Sequence, residues 1–83
     1  MSAFRERVLR AVSLIPKGQT RTYKQIAETV GSPRAYRAVG SVLKENYDKF
    51  VPCHRVIRES GETGEYNRGA TRKRELLKRE GVL

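Results

Sequence analysis

Between two short amphipathic stretches the chain reads Gly31-Ser32-Pro33, and this punctuation limits the fold more than any other feature of the sequence. Glycine ends a helix through a left-handed residue at little cost, and serine followed by proline suits a helix start, cap residue then first helical position. Upstream, Thr22 is placed to cap a helix carrying Tyr23, Ile26, Ala27 and Val30 on one side. Downstream, a helix is predicted from Ser32 and Pro33 to about Glu45, with Ala35, Ala38, Val39, Val42 and Leu43 at the spacing of a buried stripe. Two short helices joined by a tight glycine turn form a helix-turn-helix. Ahead of it, Phe4, Val8, Ala11, Val12 and Ile15 mark one face of a helix over Phe4–Ile15, with Ser2 as cap and Pro16 as stop.

Past Asn46 the chain is irregular until the apolar piece Cys53–Ile57. Val56 and Ile57 are expected as one arm of a small hairpin, or wing, whose turn includes Ser60 and Gly61. A last helix is predicted over Thr71–Glu80, with Leu76 and Leu77 inward and Gly81 as its stop. The fold class is therefore mainly α with a small β hairpin: a winged helix-turn-helix-like three-helix core plus a C-terminal helix. Its 83 residues are expected to form one domain, 1–83, with a single modest core.

Charge then narrows the partner. Eighteen Lys and Arg against 9 Asp and Glu leave a formal +9, which favours a polyanion, and nucleic acid first. On the third helix Arg34, Arg37, Gly40, Ser41 and Lys44 line a side distinct from the apolar stripe. A mid-helix glycine costs about 1 kcal/mol relative to alanine, so its place among basic residues points to a backbone that approaches a phosphate chain. A basic solvated face is the plainer alternative. The most basic segment, Arg68 to Arg79, offers little apolar surface beyond Leu76 and Leu77, which argues against a membrane-surface helix. No run of eighteen apolar residues and no signal peptide is seen in the sequence, so a reduced, cytoplasmic setting (nuclear in a eukaryote) is expected.

The one cysteine and the one histidine stand side by side in "VPCHRVI". A single Cys with a single His closes neither a disulfide nor a four-ligand zinc site, so no metal and no cofactor are expected. A thiol becomes a nucleophile when its thiolate is stabilised, and His54, Arg55 and the positive domain are candidates for that. Neighbours on an extended chain point to opposite faces, so His54 reaches Cys53 only through a turn, which Pro52 favours, or through a water. A histidine base also needs an orienting group, and any of the 9 carboxylates could serve. Against this, a lone cysteine is commonly just a small buried hydrophobe. The residues alone leave both readings open.

The motif Pro52-Cys53-His54-Arg55 resembles the acceptor signature of the O6-alkylguanine-DNA alkyltransferases. The run from Ile15 to Gly40, "IPKGQTRTYKQIAETVGSPRAYRAVG", is similar to that family's segment up to its recognition helix. "YNRGATRKRELLKREG", from Tyr66 to Gly81, is similar to its closing loop and helix. The resemblance covers nearly the whole chain and is to the family's C-terminal active-site domain. It implies a repair protein that flips O6-alkylguanine out of double-stranded DNA and moves the alkyl group irreversibly to its own cysteine, once per molecule.

Position by position, the resemblance makes Cys53 the acceptor, His54 the base acting through water, Glu80 the carboxylate that orients it and Asn46 a buttress of that network. Tyr23 assists rotation of the phosphate and donates a proton toward the leaving base. Arg37 is the finger that replaces the flipped nucleotide, with Arg34, Gly40, Ser41 and Lys44 beside it on the minor groove. Backbone groups of Cys53, Val56 and Asn67 meet the guanine edge, Tyr66 forms part of the pocket wall, and Arg68 stands in the pocket loop. A minor-groove contact resting on phosphates suits sequence-independent repair. A monomer is expected, with other repair factors as further partners.

Against that resemblance, the chain is expected to depart from the family in lacking the N-terminal domain that usually precedes this one. Its loop from Asn46 to Cys53 is one residue shorter than is common, Tyr36 replaces a small residue before the arginine finger, and Arg68 replaces glycine or tryptophan. Two other classes compete. One is an alkyltransferase-like sensor that flips and holds the lesion without transfer, in which the cysteine is typically replaced. The other is a sequence-specific helix-turn-helix regulator, commonly a dimer.

Overall fold

In the computed structural model, which describes residues 3–46, 48, 50–60 and 69–82, helix α1 spans Ala3–Ser13, α2 Tyr23–Thr29, α3 Tyr36–Lys44 and α4 Ala70–Arg79. Strands β1 (Arg21–Thr22) and β2 (Val56–Ile57) pair, and Cys53–Arg55 form a 3-10 turn directly before β2. The chain is mainly helical with one small sheet, as its punctuation requires.

Helix α1 ends before Pro16 because the residue preceding a proline is pushed out of helical geometry. Its last bonds tighten accordingly, Leu14 N–H to the Ala11 carbonyl and Ile15 N–H to Val12. The expected cap Ser2 lies outside the described residues. Helix α2 starts on a capping box: the Thr22 hydroxyl accepts the Gln25 N–H at 3.0 Å and the Gln25 side chain accepts the Thr22 N–H at 2.8 Å. It stops at Gly31, whose φ of 81° lets Ser32 N–H reach the Ala27 carbonyl (2.9 Å) and Gly31 N–H reach Glu28 (3.0 Å). That is the Schellman ending, closed by left-handed glycine.

Two expectations for the third helix are corrected. Ser32 and Pro33 do not open it. The Ser32 carbonyl accepts the Ala35 N–H at 2.9 Å, closing a separate turn, and the cap position is Ala35, whose carbonyl accepts the Val39 N–H at 3.0 Å. Arg34 therefore belongs to this turn and not to the helix face of Arg37. The buried stripe is also narrower than expected: Val39 and Leu43 are buried and Val42 half-buried, while Ala38 faces solvent.

A strand pairing that the sequence did not predict appears as well. Val56 and Ile57 run parallel to Arg21 and Thr22, in the register Arg21 with Val56 and Thr22 with Ile57. Parallel neighbours need a long crossover, which α2 and α3 supply here, whereas a hairpin would be antiparallel. The expected hairpin turn at Gly61 and its second arm lie outside the described residues.

Val8, Val12 and Ile15 meet Ile26, Ala27 and Val30 of α2, Val39 and Leu43 of α3, and Cys53 and Val56 in one cluster. Helix α4 packs Leu77 inward and ends at Gly81, where Val82 N–H reaches the Leu77 carbonyl at 3.0 Å. Among the described residues no helix is long and apolar enough to cross a membrane.

The caps of α2 are local and separable from the core. Thr22→Ala and Gly31→Ala are each expected to lower unfolding free energy by about 1 kcal/mol in urea titrations. An unchanged midpoint in both would show that tertiary packing alone sets this helix's ends.

Candidate active site

Pro52, at φ −78°, leads into the 3-10 turn, and its carbonyl accepts the Arg55 N–H at 2.9 Å. The chain thus turns at Cys53 instead of running extended, so Cys53 and His54 project roughly 120° apart and not to opposite faces. Pro52 does here what the sequence reading asked of it.

Cys53 is only 5% exposed and packs in the core cluster. Burial alone is the plain expectation for a lone thiol; its polar company is what departs from it. Asn46, also buried, donates from Nδ2 to Cys53 Sγ at 3.2 Å. A donor aimed at sulfur interacts most strongly when the sulfur carries charge. The short loop that follows Asn46 keeps this contact through Asp48: its N–H donates to Asn46 Oδ1, while its side chain accepts the Phe50 N–H and its carbonyl the Val51 N–H.

On the other side of the turn, His54 Nε2 lies 3.1 Å from Glu80 Oε2, both side chains nearly buried. Arg55 grips the same carboxylate with two prongs, Nε donating to Oε1 at 2.9 Å and Nη2 to Oε2 at 2.5 Å. Its remaining nitrogen Nη1 donates to the Ile15 carbonyl at 2.9 Å, past the end of α1. The hydrogen bonds from Arg55 pull Glu80 down to about 2, against burial and with further help from His54. Arg55 is raised in turn, first by its bond to Glu80 and with burial opposing. Of the 9 carboxylates left open by local spacing, the tertiary structure brings Glu80 to the histidine.

Lys73 escaped the sequence reading. It is 0% exposed, its Nζ donates to the Val56 carbonyl at 2.6 Å, and it stands 5.7 Å from the centroid of the Tyr23 ring. Burial lowers it to about 8, with the electrostatic influence of Cys53 opposing that shift. A signal existed: Lys73 lies one turn before Leu77 on the inward face, where a charged residue stands out. Arg55 was weighed only as a nearby positive charge; nothing local ties it to a carboxylate 25 residues on.

The basic side is built by α3 and the turn before it. Arg34, Arg37, Ser41 and Lys44 are exposed, as is Tyr36 at the first helical position. Gly40 sits against Tyr23: a Cβ added there would lie 3.9 Å from Tyr23 Cε1, ordinary contact distance. Packing within the protein does not demand the glycine. Val56, fully buried, presents its carbonyl to Lys73. Tyr66, Asn67 and Arg68 lie outside the described residues. Among those described, no group of three or more His, Cys, Asp or Glu could hold a metal.

With this geometry in place, comparison with known proteins is informative. The family model described as 6-O-methylguanine DNA methyltransferase, DNA binding domain, matches residues 3–82. The chain belongs to this family. A methylated-DNA–protein-cysteine methyltransferase of Mycolicibacterium paratuberculosis is 49% identical over 77 residues, covering 92% of this chain and 47% of that protein. The chain spans less than half the length of the curated relatives it matches. Among solved structures, Mycobacterium tuberculosis OGT in complex with DNA superposes with a TM-score of 0.93 at 45% identity, over 98% of this chain and 50% of that one. S. pombe Atl1, in complex with damaged DNA containing O6-carboxymethylguanine, superposes with a TM-score of 0.89 at 37% identity, over 100% of this chain and 80% of that one. In this methyltransferase-family chain the helix-turn-helix and the Cys-His-Arg turn share one scaffold.

The Glu80 cluster makes stability pH-dependent. A carboxylate held near 2 when folded and at about 4.5 when unfolded adds stability above pH 4.5 that is lost as pH falls toward 2, on the order of 3 kcal/mol. Urea unfolding at pH 7, 4 and 2.5 should show this loss, and Glu80→Gln should be weaker at pH 7 with a flatter profile below pH 4.5. Parallel profiles for the two proteins would contradict the assignment.

Proposed function

We propose that the chain is one domain of the C-terminal active-site type, and that it repairs O6-alkylguanine in double-stranded DNA by moving the alkyl group to Cys53. The observation that carries this reading is the joint placement of Cys53, with Asn46 on its sulfur, and of His54, with Glu80 on its imidazole, in a fold that also presents an exposed basic helix.

In the reaction the thiol proton passes to His54 through water and the electron pair stays on sulfur. The sulfur attacks the alkyl carbon, the new S–C bond forms as the carbon–oxygen bond breaks, and the electrons move onto the guanine. Tyr23 donates a proton toward the departing base. Glu80 keeps the imidazole oriented, and Asn46 steadies the sulfur. The product thioether has no return path, so each molecule acts once. No cofactor enters this balance.

Arg37 enters the base stack where the flipped nucleotide was, with Arg34, Ser41 and Lys44 on phosphates and Gly40 allowing close approach in the minor groove. Flipping costs a few kcal/mol, which a side chain filling the vacated space offsets. Val56 is assigned to the substrate pocket, as are Tyr66, Asn67 and Arg68 by the family resemblance alone, and binding is independent of sequence, by a monomer. The family match and the DNA-bound relatives support this reading.

A lesion sensor without transfer is the second reading, favoured by the extent of the match to Atl1. Cys53 separates the two. Incubation with a duplex carrying O6-methylguanine is expected to add one methyl group to Cys53 by mass spectrometry, and none to Cys53→Ala. Arg37→Ala should slow transfer roughly 10- to 100-fold while leaving iodoacetamide labelling of the thiol unchanged. Tight lesion binding with an unmodified, reduced Cys53 would establish the sensor instead.

A further inference from the structure

Lys73 is a fully buried cation that the alkyl-transfer scheme above does not use. An ammonium taken out of water costs several kcal/mol unless its surroundings compensate. Two of its contacts are uncharged: the Val56 carbonyl at 2.6 Å and the face of Tyr23. They fix where the ammonium sits without neutralising it. An ionised Cys53 would favour the ammonium at that position. Val56 is joined to Cys53 by the 3-10 turn itself, since its N–H donates to the Cys53 carbonyl. The peptide that holds the ammonium is thus the one that closes the cysteine's turn.

Helix α4 carries Glu80 seven residues after Lys73, two helical turns along the same face and about 10 Å away. One helix therefore sets a cation on the peptide that closes the cysteine's turn and an anion against the histidine. That polarity favours the charge-separated state in which the thiol proton has left sulfur for the imidazole. We propose that Lys73 is a positioning residue of the transfer site, its buried ammonium acting as the charge partner that keeps Cys53 a thiolate. The proposal rests on the reading of Cys53 as the alkyl acceptor, but concerns a property of the thiol that exists without DNA.

Among the described residues, the other charged and titratable groups around the pair are His54 and Arg55 in the turn, Glu80 at the end of α4, Tyr23 on α2 and Arg58 after β2. Arg55 is committed to Glu80 and Ile15, and Arg58 opposes the lysine's charge. Lys73 is the cation whose removal should be felt at sulfur.

The test is the rate of Cys53 alkylation by iodoacetamide from pH 5 to 10, read by mass on the whole chain, for wild type, Lys73→Met and Lys73→Arg. Lys73→Met is expected to react about tenfold or more slowly at pH 7, with its profile displaced to higher pH. Lys73→Arg should keep part of the wild-type rate. A Lys73→Met profile that superimposes on wild type, even with a lowered melting temperature, overturns the proposal. A second measurement needs no variant: the lysine side-chain nitrogen is titrated by NMR before and after capping Cys53 as a neutral methyl disulfide. Because the coupling is reciprocal, Lys73 should lose its proton at lower pH once the thiol is capped. An unmoved titration refutes the role. Neither readout uses DNA, so failure of methyl transfer from a lesion duplex and failure of this proposal are distinguishable.

Discussion

Glu80 and Arg55 form the contact on which the rest of the arrangement depends. One carboxylate at the C-terminal end of α4 receives two guanidinium donors and faces the imidazole, while the same guanidinium reaches the Ile15 carbonyl beyond α1. Three segments distant in sequence are closed on one another by this clasp: the exit of α1, the Cys53–Arg55 turn and the last turn of α4. A carboxylate at a helix C-terminus meets the unfavourable end of the helix dipole. The paired arginine offsets it, so Glu80 stays ionised in a nearly buried place and His54 is given a fixed neighbour. The turn Pro16–Gln19 closes against the same region, where a Cβ on Gly18 would lie 3.5 Å from the Glu80 carbonyl.

From that clasp the two halves of the site follow separate structural routes. Helix α4 delivers both a buried cation, bonded to the Val56 carbonyl, and a nearly buried anion beside His54. The helix-turn-helix delivers the exposed face, with Arg37, Ser41 and Lys44 on solvent and Gly40 against Tyr23. Tyr23 joins the two, since its ring lies beneath Gly40 on one side and near Lys73 on another. Its position is set by the capping box at Thr22, the residue directly before it, so a local helix signal places a side chain of the site.

Much of this was legible in the chain. The cap at Thr22, the stops at Gly31 and Gly81 and the turn at Pro52 rest on backbone preferences that act over a few residues, and each appears as expected. The start of α3 was misread because Ser32-Pro33 suits a tight turn as well as a helix cap, and the Ala35 N–H chose the former. Val56-Ile57 was legible as a strand but its partner was not, because a two-residue strand carries no register signal and its mate precedes α2. Asn46 and Glu80 were assigned by resemblance to a family; the structure places Asn46 on the Cys53 sulfur and Glu80 beside His54.

By itself the sequence determined the helix boundaries that glycine, proline and capping side chains set, the basic balance that selects a polyanion, and the adjacency of thiol and imidazole. Those are properties of neighbouring residues or of the total charge, and need no fold to exist. Beyond what the family resemblance implied for Glu80, only the tertiary structure decided that this carboxylate faces His54, that Arg55 is spent on holding it, and that Lys73 is buried on the Val56 carbonyl. Each of those depends on groups far apart in the chain meeting in a low-dielectric interior, where a single partner changes what a charge costs.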